Sequence, residues 1–409
     1  MTGTDQARGK TVRPWLAGGL MVLLACSASL AAQAGRARPT GRRSAISSDA
    51  KFTELVGRAN QAREAGRLQD AIGLYRQALT VRPTWVEGWW HLGTVLYDLD
   101  SYREGAEAFG RVVALKSGDE KNGPAWALLG LCQFQTGDYP AALESLERAQ
   151  GLGVGDKKEL RRVMNYHAGL LMNRFERFEH SFLILSALAT EHFESVKIVE
   201  ALGINVLRLA VLPGELVLDN RALVAQAGRA AAFAAARQMA EAEREYEKLV
   251  REYSTMPSVH YARGVFLLNR DPDTALRELE RELEISPADV QARLYIAFEY
   301  IKRTDYAAGL PYAERAVSLD PQSFAARNAL GRILLELGQV ERAITELEEG
   351  VRLAPDSPET RFALARAYAR AGRKADADRE RAEFVRLNKI LRTVREGPEA
   401  VKAAPPPEC

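Results

Sequence analysis

The sequence is poor in the residues from which disulfide frameworks and metal sites are built. Its 409 residues include three cysteines (Cys26, Cys132 and Cys409) and five histidines. Three cysteines make neither a disulfide framework nor a zinc site, and no two histidines have the His-Glu-x-x-His spacing of a zinc hydrolase. The sequence therefore predicts no metal and no other cofactor, and Cys132 is interpreted as a small core residue on a buried helix face.

An excess of one charge sign is also lacking. Lys and Arg number 56 against 54 Asp and Glu, which leaves a net charge of only +2. Because phosphate binding needs a concentrated basic surface, this balance argues against nucleic acid as a partner. The chain also has neither a phosphate-cradling glycine loop nor a nucleophile elbow. These absences favour a protein that is not an enzyme.

What the sequence does have is a fixed period of 34 residues. The stretch ALGRILLELGQVERAI, residues 329–344, places a small residue in one helix, a glycine at a break, and Ala-Ile at the start of a second helix. Pro355 follows it, and Pro321 and Pro287 precede Pro355 in steps of 34. The small residue after the break recurs in the same steps, at Ala275, Gly309, Ala343 and Ala377. Such a period indicates a two-helix repeat that buries its apolar face only by stacking on its neighbours.

The chain resembles the tetratricopeptide-repeat (TPR) family. The residues that carry the resemblance are Leu330-Gly331, Gly338, Ala343-Ile344, Leu347 and Pro355. The resemblance implies an all-α fold, an α-solenoid that forms a right-handed superhelix of about nine helix-turn-helix repeats. In such a repeat the small residues let two helices approach closely, and the glycine permits the left-handed conformation that ends a helix. The proline then ends the second helix.

The repeats are divided into two blocks. About four repeats cover residues 52–192, and about five, including a C-terminal cap, cover residues 223–391. The divergent segment between them, residues 193–222, predicts a helix that ends before Pro213 with no second helix in register. Two further segments lack periodicity and predict a flexible linker and a disordered tail: residues 35–50 and residues 392–409.

The N-terminus predicts export. Basic residues up to Arg13 precede an apolar run at residues 15–32. Residues 1–34 fit either a cleaved secretory signal that ends in Ala-Gln-Ala or an N-terminal membrane anchor. The letters LLAC resemble a bacterial lipobox, which would place a lipid on Cys26. We therefore expect an exported bacterial protein, periplasmic or secreted, with anchoring to the envelope membrane by residues 15–34 or a lipidated Cys26 as the open alternative.

The resemblance also implies where partners bind. In the family, the first helices of the repeats line a concave groove, and their outward positions contact other proteins or peptides. In the N-terminal block these positions are Asn60, Arg63, Trp90, His91, Thr94, Tyr97, Leu128, Leu131 and Phe134. Trp90, Tyr97 and Phe134 would suit an extended or helical peptide. Packing of Trp90 against the linker or the preceding repeat is the competing interpretation.

The C-terminal block predicts a more basic face. Its outward positions are Lys302, Asn328, Arg332, Arg366 and Arg370, with Phe298 and Phe362 among them. The basic groups lie on consecutive first helices and could bind an acidic segment or a carboxylate by charge-assisted hydrogen bonds. Glu336 and Glu359 fall on the same predicted face, so internal neutralisation is the competing interpretation.

These patterns predict a non-catalytic scaffold or adaptor of the cell envelope that binds partner proteins or peptides in its groove. Two alternatives stay open. A glycan or peptidoglycan fragment could occupy the same groove by stacking on Trp90 and Tyr97. A metal-dependent enzyme could use the segment from His180 to Glu194, where His192 and several glutamates are close in sequence.

Overall fold

The computed structural model describes residues 41–191 and 195–396. These residues form nineteen α-helices and no strand, which confirms the all-α prediction. The helices are α1 (Gly41–Glu64), α2 (Leu68–Val81), α3 (Val86–Asp98), α4 (Tyr102–Leu115), α5 (Gly123–Gln135), α6 (Tyr139–Leu152), α7 (Lys158–Arg174), α8 (Phe178–Glu191), α9 (Val196–Val206), α10 (Arg221–Ala235), α11 (Met239–Glu252), α12 (Val259–Leu267), α13 (Pro272–Ile285), α14 (Val290–Lys302), α15 (Tyr306–Leu319), α16 (Phe324–Glu336), α17 (Val340–Leu353), α18 (Pro358–Arg370) and α19 (Lys374–Glu396). The export segment at residues 1–34 and residues 397–409 of the predicted tail lie outside the described residues. Residues 392–396 belong to α19, so the prediction of disorder is wrong for that part of the tail.

The chain divides into two units, with the boundary after Glu54. Of the first unit the structure describes residues 41–54, and all of them are helical. The expectation of a linker over residues 35–50 is therefore wrong from Gly41 onward. An established helix extends at little cost because each added residue gains a hydrogen bond without a new nucleus. Among the described residues, no helix combines the length and the apolar character that a membrane span requires.

The second unit is an α-solenoid of stacked helix pairs, and one close contact explains the pairing. Gly331 of α16 lies against Leu347 of α17, and a Cβ atom on Gly331 would come within 2.5 Å of the Leu347 Cγ atom. A larger residue at this position would force the two helices apart. The same relation joins Gly93 to Phe109, Gly130 to Leu146, Gly169 to Leu185, and Gly264 to Leu279. The small residue of the repeat therefore serves the approach of the two helices, as the sequence predicts.

In the described chain, eight of the nine breaks between the two helices of a pair share one hydrogen-bond pattern, whereas after α12 the Arg270 and Asp271 N–H groups both donate to the Leu267 carbonyl. Gly338 has a φ of +78°, and the backbone N–H of Gln339 donates to the Leu334 carbonyl at 2.9 Å. This bond, donated by the second residue after the C-cap Leu337, is the Schellman arrangement. It satisfies a carbonyl that the helix leaves unpaired. The other donors of this bond are Arg67, Ser101, Asp138, Arg177, Leu209, Gln238, Asp305 and Arg373. Glycine is not required at every break, because a positive φ also occurs at Asp100, Glu176, Arg208, Arg237 and Thr304.

The prolines of the repeat mark where second helices end. Helix α15 ends at Leu319, two residues before Pro321. Proline lacks the N–H that a helix needs and disfavours helical geometry in the residue before it. Helices α2, α13 and α17 stop in the same way before Pro83, Pro287 and Pro355.

The regular alternation of helices fails once, after α9. This helix ends like most first helices, with a positive φ at Arg208 and a bond from the Leu209 N–H to the Ile204 carbonyl at 2.9 Å. No second helix follows it. The chain instead makes two short 3-10 turns, Pro213–Glu215 and Leu218–Asn220, and then enters α10. The described residues thus contain nine helix pairs and one single helix.

Because that second helix is missing, α9 packs directly on the first helix of the next pair. A Cβ atom on Gly203 of α9 would lie 1.9 Å from the Val224 carbonyl oxygen of α10. A Cβ atom on Gly228 of α10 would lie 1.9 Å from the Val199 carbonyl oxygen of α9. The absence of a side chain at Gly203 and Gly228 therefore allows the close approach of α9 and α10 at the junction of the two blocks.

We predict that Gly203→Ala lowers the free energy of unfolding by at least about 2 kcal/mol, since the new methyl group meets backbone that cannot rotate away. Chemical denaturation followed by circular dichroism measures this loss. Gly110→Ala on α4 is the matched control, because a Cβ there has no atom within 4 Å. The control should be neutral or more stable by up to about 1 kcal/mol, from helix propensity alone. Equal effects of the two substitutions would contradict the close crossing of α9 and α10.

Candidate functional site

Three of the predicted groove residues in the N-terminal block, Asn60, Arg63 and His91, lie together. Their polar groups form hydrogen bonds within this cluster, which also includes Tyr75. His91 of α3 stacks on the Tyr75 ring at 5.8 Å, and its Nδ1 atom accepts a hydrogen bond from Arg63. The Tyr75 hydroxyl donates to the Asn60 Oδ1 atom at 2.8 Å. Burial, and next the Arg63 charge, lower the pKa of His91 to about 4. His91 is therefore neutral at pH 7, which lets it accept from the guanidinium.

Trp90 packs against the second helix of its own pair. Its ring centroid lies 5.7 Å from that of Phe109 on α4, with the two rings nearly perpendicular, and it belongs to the apolar cluster around Phe109. The Lys157 ammonium lies 5.4 Å from the indole centroid, so a cation already covers one ring face. In this cluster Trp90 contacts its own helix pair, whereas the competing interpretation expected the linker or the preceding repeat.

The remaining N-terminal candidates have separate neighbours. Tyr97 packs edge-on against Tyr102 at 5.5 Å, and Thr94 donates to the carbonyl of His91 on its own helix. Phe134 contacts the His167 ring at 4.6 Å and the Tyr139 ring at 5.6 Å. Leu128 is half-buried. Leu131 is only 3% exposed and belongs to the core, so its selection as a partner contact is wrong. It faces the neighbouring helices, which close over it.

In the C-terminal block, one carboxylate neutralises two of the predicted basic residues. Glu336 accepts from Arg366 at 2.5 Å and from Arg370 at 2.8 Å, while Arg370 also donates to the Leu335 carbonyl. Burial alone would favour the neutral acid, but the bonds from Arg370 and Arg366 hold the pKa of Glu336 below its usual value. Lys302 lies 3.4 Å from Glu299. Internal neutralisation thus applies to three of the four basic groups, whereas Glu359 contacts Ser357.

Arg332 is the exception on this face. Its guanidinium lies 6.0 Å from the Phe298 ring, and no carboxylate of the described residues comes within ion-pair distance of it. Burial, followed by the charge of Arg366, lowers the pKa of Arg332. Phe298, Arg332 and Arg366 are 34 residues apart and occupy one position on three consecutive first helices. A half-buried cation beside a second cation is a place where an external anion would be stabilising.

Asn328, one turn before Arg332, is not a surface residue. It is 5% exposed and donates through Nδ2 to the Thr360 hydroxyl at 2.8 Å, so its selection as a partner contact is wrong. Its side chain joins α16 to α18 across the pair boundary. The Asn328 Oδ1 atom is buried and has no hydrogen-bond partner among the described residues.

The structure contains a cavity that the sequence did not reveal. It measures about 430 Å³ and opens where the helix alternation fails. Helices α8, α9, α10, α11, α12 and α14 contribute its walls. Six aromatic rings line it: Phe178, Phe182, Tyr246, Tyr261, Phe266 and Tyr295. These rings are spread over more than a hundred residues of sequence, so no local motif marks them.

One guanidinium stands in this aromatic cavity, that of Arg208. It lies 4.8 Å from the centroid of the Phe178 ring and 5.2 Å from that of Tyr261. Its Nη1 atom donates to the Tyr261 hydroxyl at 3.1 Å and to Glu179 at 3.3 Å. Burial raises the pKa of the Tyr261 hydroxyl, so that this group stays protonated. The sequence carried one signal for this site: the 34-residue period fails over residues 193–222, which include Arg208.

The predicted enzyme alternative has little structural support. His192 and Glu194 lie outside the described residues, so the structure describes only part of the segment from His180 to Glu194. Within residues 41–191 and 195–396, no group of three His, Cys, Asp or Glu side chains could hold a metal ion. Cys132 is fully buried, and burial raises the pKa of its thiol to about 12, which suits its interpretation as a core residue.

Sequence models of the tetratricopeptide repeat match three stretches of the chain, two of which overlap. The matches cover residues 56–120, 92–156 and 300–359. All three include helix pairs that show the glycine contacts and the breaks described above. The chain is a tetratricopeptide-repeat protein. Its repeat array is a protein-interaction scaffold, since proteins of this family generally bind other proteins or peptides, and the fold is typically non-catalytic.

Several solved structures are similar to parts of this tetratricopeptide-repeat protein. A crystal structure of MamA has 15% sequence identity and a TM-score of 0.37, and covers 40% of this chain and 95% of MamA. YrrB, described as "a TPR protein with an unusual peptide-binding site", has 17% identity and a TM-score of 0.36, and covers 40% of this chain and 86% of its own. TM-scores this low support no argument about function. A search of curated proteins finds no match.

We predict that His91→Gln makes the stability of the protein less sensitive to acid. The pKa of His91 is about 4 in the folded chain against an ordinary 6.5. Between those values the unfolded state binds more protons, so His91 lowers stability as the pH falls through this window. Urea unfolding at about pH 7 and about pH 4.5 should show a smaller loss in the variant than in the wild type.

His260→Gln is a control with the opposite sign. Burial lowers the pKa of His260, but its hydrogen bond with Glu278 at 2.6 Å outweighs burial and raises the pKa overall. The stability it contributes is present below pH 6.5 and is lost as the pH rises through the raised pKa. This variant should therefore lose more stability in acid than at alkaline pH. Parallel pH curves for both variants would contradict the assignment.

Proposed function

We propose that this protein is a non-catalytic adaptor of the bacterial cell envelope that binds an acidic segment of a partner protein on its C-terminal block. The proposed contact face consists of Phe298, Arg332, Phe362 and Arg366, which lie on α14, α16 and α18. The observation that carries the proposal is Arg332, which lacks a carboxylate partner among the described residues. The envelope location is supported by the basic residues and the apolar run of residues 15–32.

The face offers both parts of a peptide contact. Phe362 is exposed on α18. Arg332 has an aromatic ring beside it and a second guanidinium nearby, so a carboxylate placed there would gain charge-assisted hydrogen bonds and relieve a repulsion. On the N-terminal face, Arg63 and Asn60 are already bonded to His91 and Tyr75.

The direct test is photo-crosslinking in the native host. A photoreactive phenylalanine derivative in place of Phe362 keeps every charge of the face and reports what lies over it. We predict that envelope proteins are captured and that Arg332→Glu reduces this capture at least about tenfold, because a carboxylate would then repel an acidic segment.

Arg342→Glu is the matched control. Arg342 lies on the second helix α17, where it is exposed and pairs with Glu314 at 3.0 Å. This variant makes the same change of charge away from the proposed face and should leave capture unchanged. Equal loss in both variants would reduce the effect to net charge. If the folded, exported protein captures no protein at all, the adaptor proposal fails, and glycan binding in the groove becomes the explanation to test.

A second prediction concerns Glu336, whose carboxylate forms ion pairs with Arg366 and Arg370. Glu336→Gln should release Arg366 and Arg370 for an acidic partner, so crosslinking through position 362 should increase. The same variant should lose about 1–2 kcal/mol of stability, because Glu336 is largely buried and bonded to both guanidinium groups. Capture and denaturant unfolding measured on one preparation separate the two effects. Decreased capture in a folded variant would show that Glu336 itself contacts the partner.

A further inference from the structure

The cavity at the failed alternation has the walls of a small-molecule site. Its volume of about 430 Å³ falls in the range of about 300–1,000 Å³ that is usual for such sites. Besides the six rings, its lining includes Leu183, Val206, Ala234, Ala262 and Val265. A ligand body that fills it would therefore be apolar, and flat rings would stack well on its walls.

Arg208 is the one cationic residue in the lining of the cavity, beside the polar residues Glu179 and Asn205. Its side chain is only 20% exposed, and both of its hydrogen bonds use Nη1. The Nε and Nη2 atoms have no acceptor among the described residues. These are the atoms with which a guanidinium binds a carboxylate through two parallel bonds. The cavity thus combines an apolar interior with an incompletely paired, poorly solvated cation.

Two carboxylates of the described residues act on Arg208, those of Glu179 and Asp289, and the one that bonds to it, Glu179, is weakly held. Glu179 is 55% exposed, and its distance of 3.3 Å to Arg208 is long for a charge-assisted bond. An exposed carboxylate of this kind can turn into solvent at little cost, which would leave Arg208 to a ligand. A cationic ligand is disfavoured, because the space over Phe178 and Tyr261 is already occupied by the Arg208 guanidinium.

We propose that this cavity binds a small organic acid with an aromatic body. The body lies among the rings of α8, α11, α12 and α14, and the carboxylate binds the Nε and Nη2 atoms of Arg208. The site is separate from the basic face around Arg332, so either proposal can fail without the other. It would make this repeat protein a receptor for a small molecule at the junction of its two blocks.

Equilibrium dialysis of the purified full chain tests the proposal with a matched pair of probes, naphthalene-2-acetate and naphthalene-2-acetamide. The acetate should bind at about pH 7 with a Kd at least about tenfold lower than that of the amide, because only the acetate can pair with Arg208. Arg208→Gln should raise the Kd of the acetate to that of the amide. Glu179→Gln should lower the Kd of the acetate, since it removes the competing carboxylate.

Two further variants separate the site from general effects. Arg270→Gln is the matched control, because Arg270 also lies over a ring, Phe266 at 5.4 Å, but pairs with Glu243 and is not part of the cavity lining. It should leave both constants unchanged. Val265→Trp should weaken both probes by filling the cavity. If Arg208→Gln does not fold, as judged by circular dichroism, Glu179→Gln and Val265→Trp still decide the question.

Three results would overturn the proposal. One is that neither probe binds the wild type, and another is that both bind equally well, which would show an apolar cavity without recognition of an anion. The third is that a hexapeptide ending in phenylalanine binds more tightly than the acetate, since the occupant would then be the C-terminus of a protein rather than a free acid.

Discussion

The structure depends on the close contact between a small residue in the first helix of each pair and a large side chain in the second. Gly331 against Leu347 shows it most plainly, with no room for a single carbon atom between them. A pair of helices this close has two broad apolar faces left over, and neither can be covered within the pair. Stacking on the next pair is the only way to bury them, so the array and its core form together.

The single helix α9 shows what happens when this rule is interrupted. It keeps the end that most first helices share, but its partner is the next first helix, which it approaches closely at Gly203 and Gly228 rather than at a glycine and a leucine. Two first helices in succession bring residues of α8, α12 and α14 to one cavity, whose lining holds six rings and one guanidinium. The feature with the most recognition chemistry therefore arises where the packing period fails.

Charge on the first helices is organised to a large extent by the protein itself. Glu336 binds two arginines, and Arg63 binds His91. Such internal pairs remove groups that a sequence pattern would assign to a ligand. Arg332 differs because its neighbours along the column, Phe298 and Arg366, offer it a ring and a like charge instead of an anion. Its place in the scaffold is what makes it a candidate contact.

The sequence by itself determined the fold, the position of the break at Gly338, and the ends of helices before Pro287, Pro321 and Pro355. It could do so because helix packing repeats every 34 residues and each copy reports the same constraint. Only the tertiary structure decided that Leu131 and Asn328 are buried, that Arg332 is left without a carboxylate, and that Arg208 stands in a ring-lined cavity. Those outcomes depend on contacts between side chains far apart in the chain, which occur once and therefore leave no period to read.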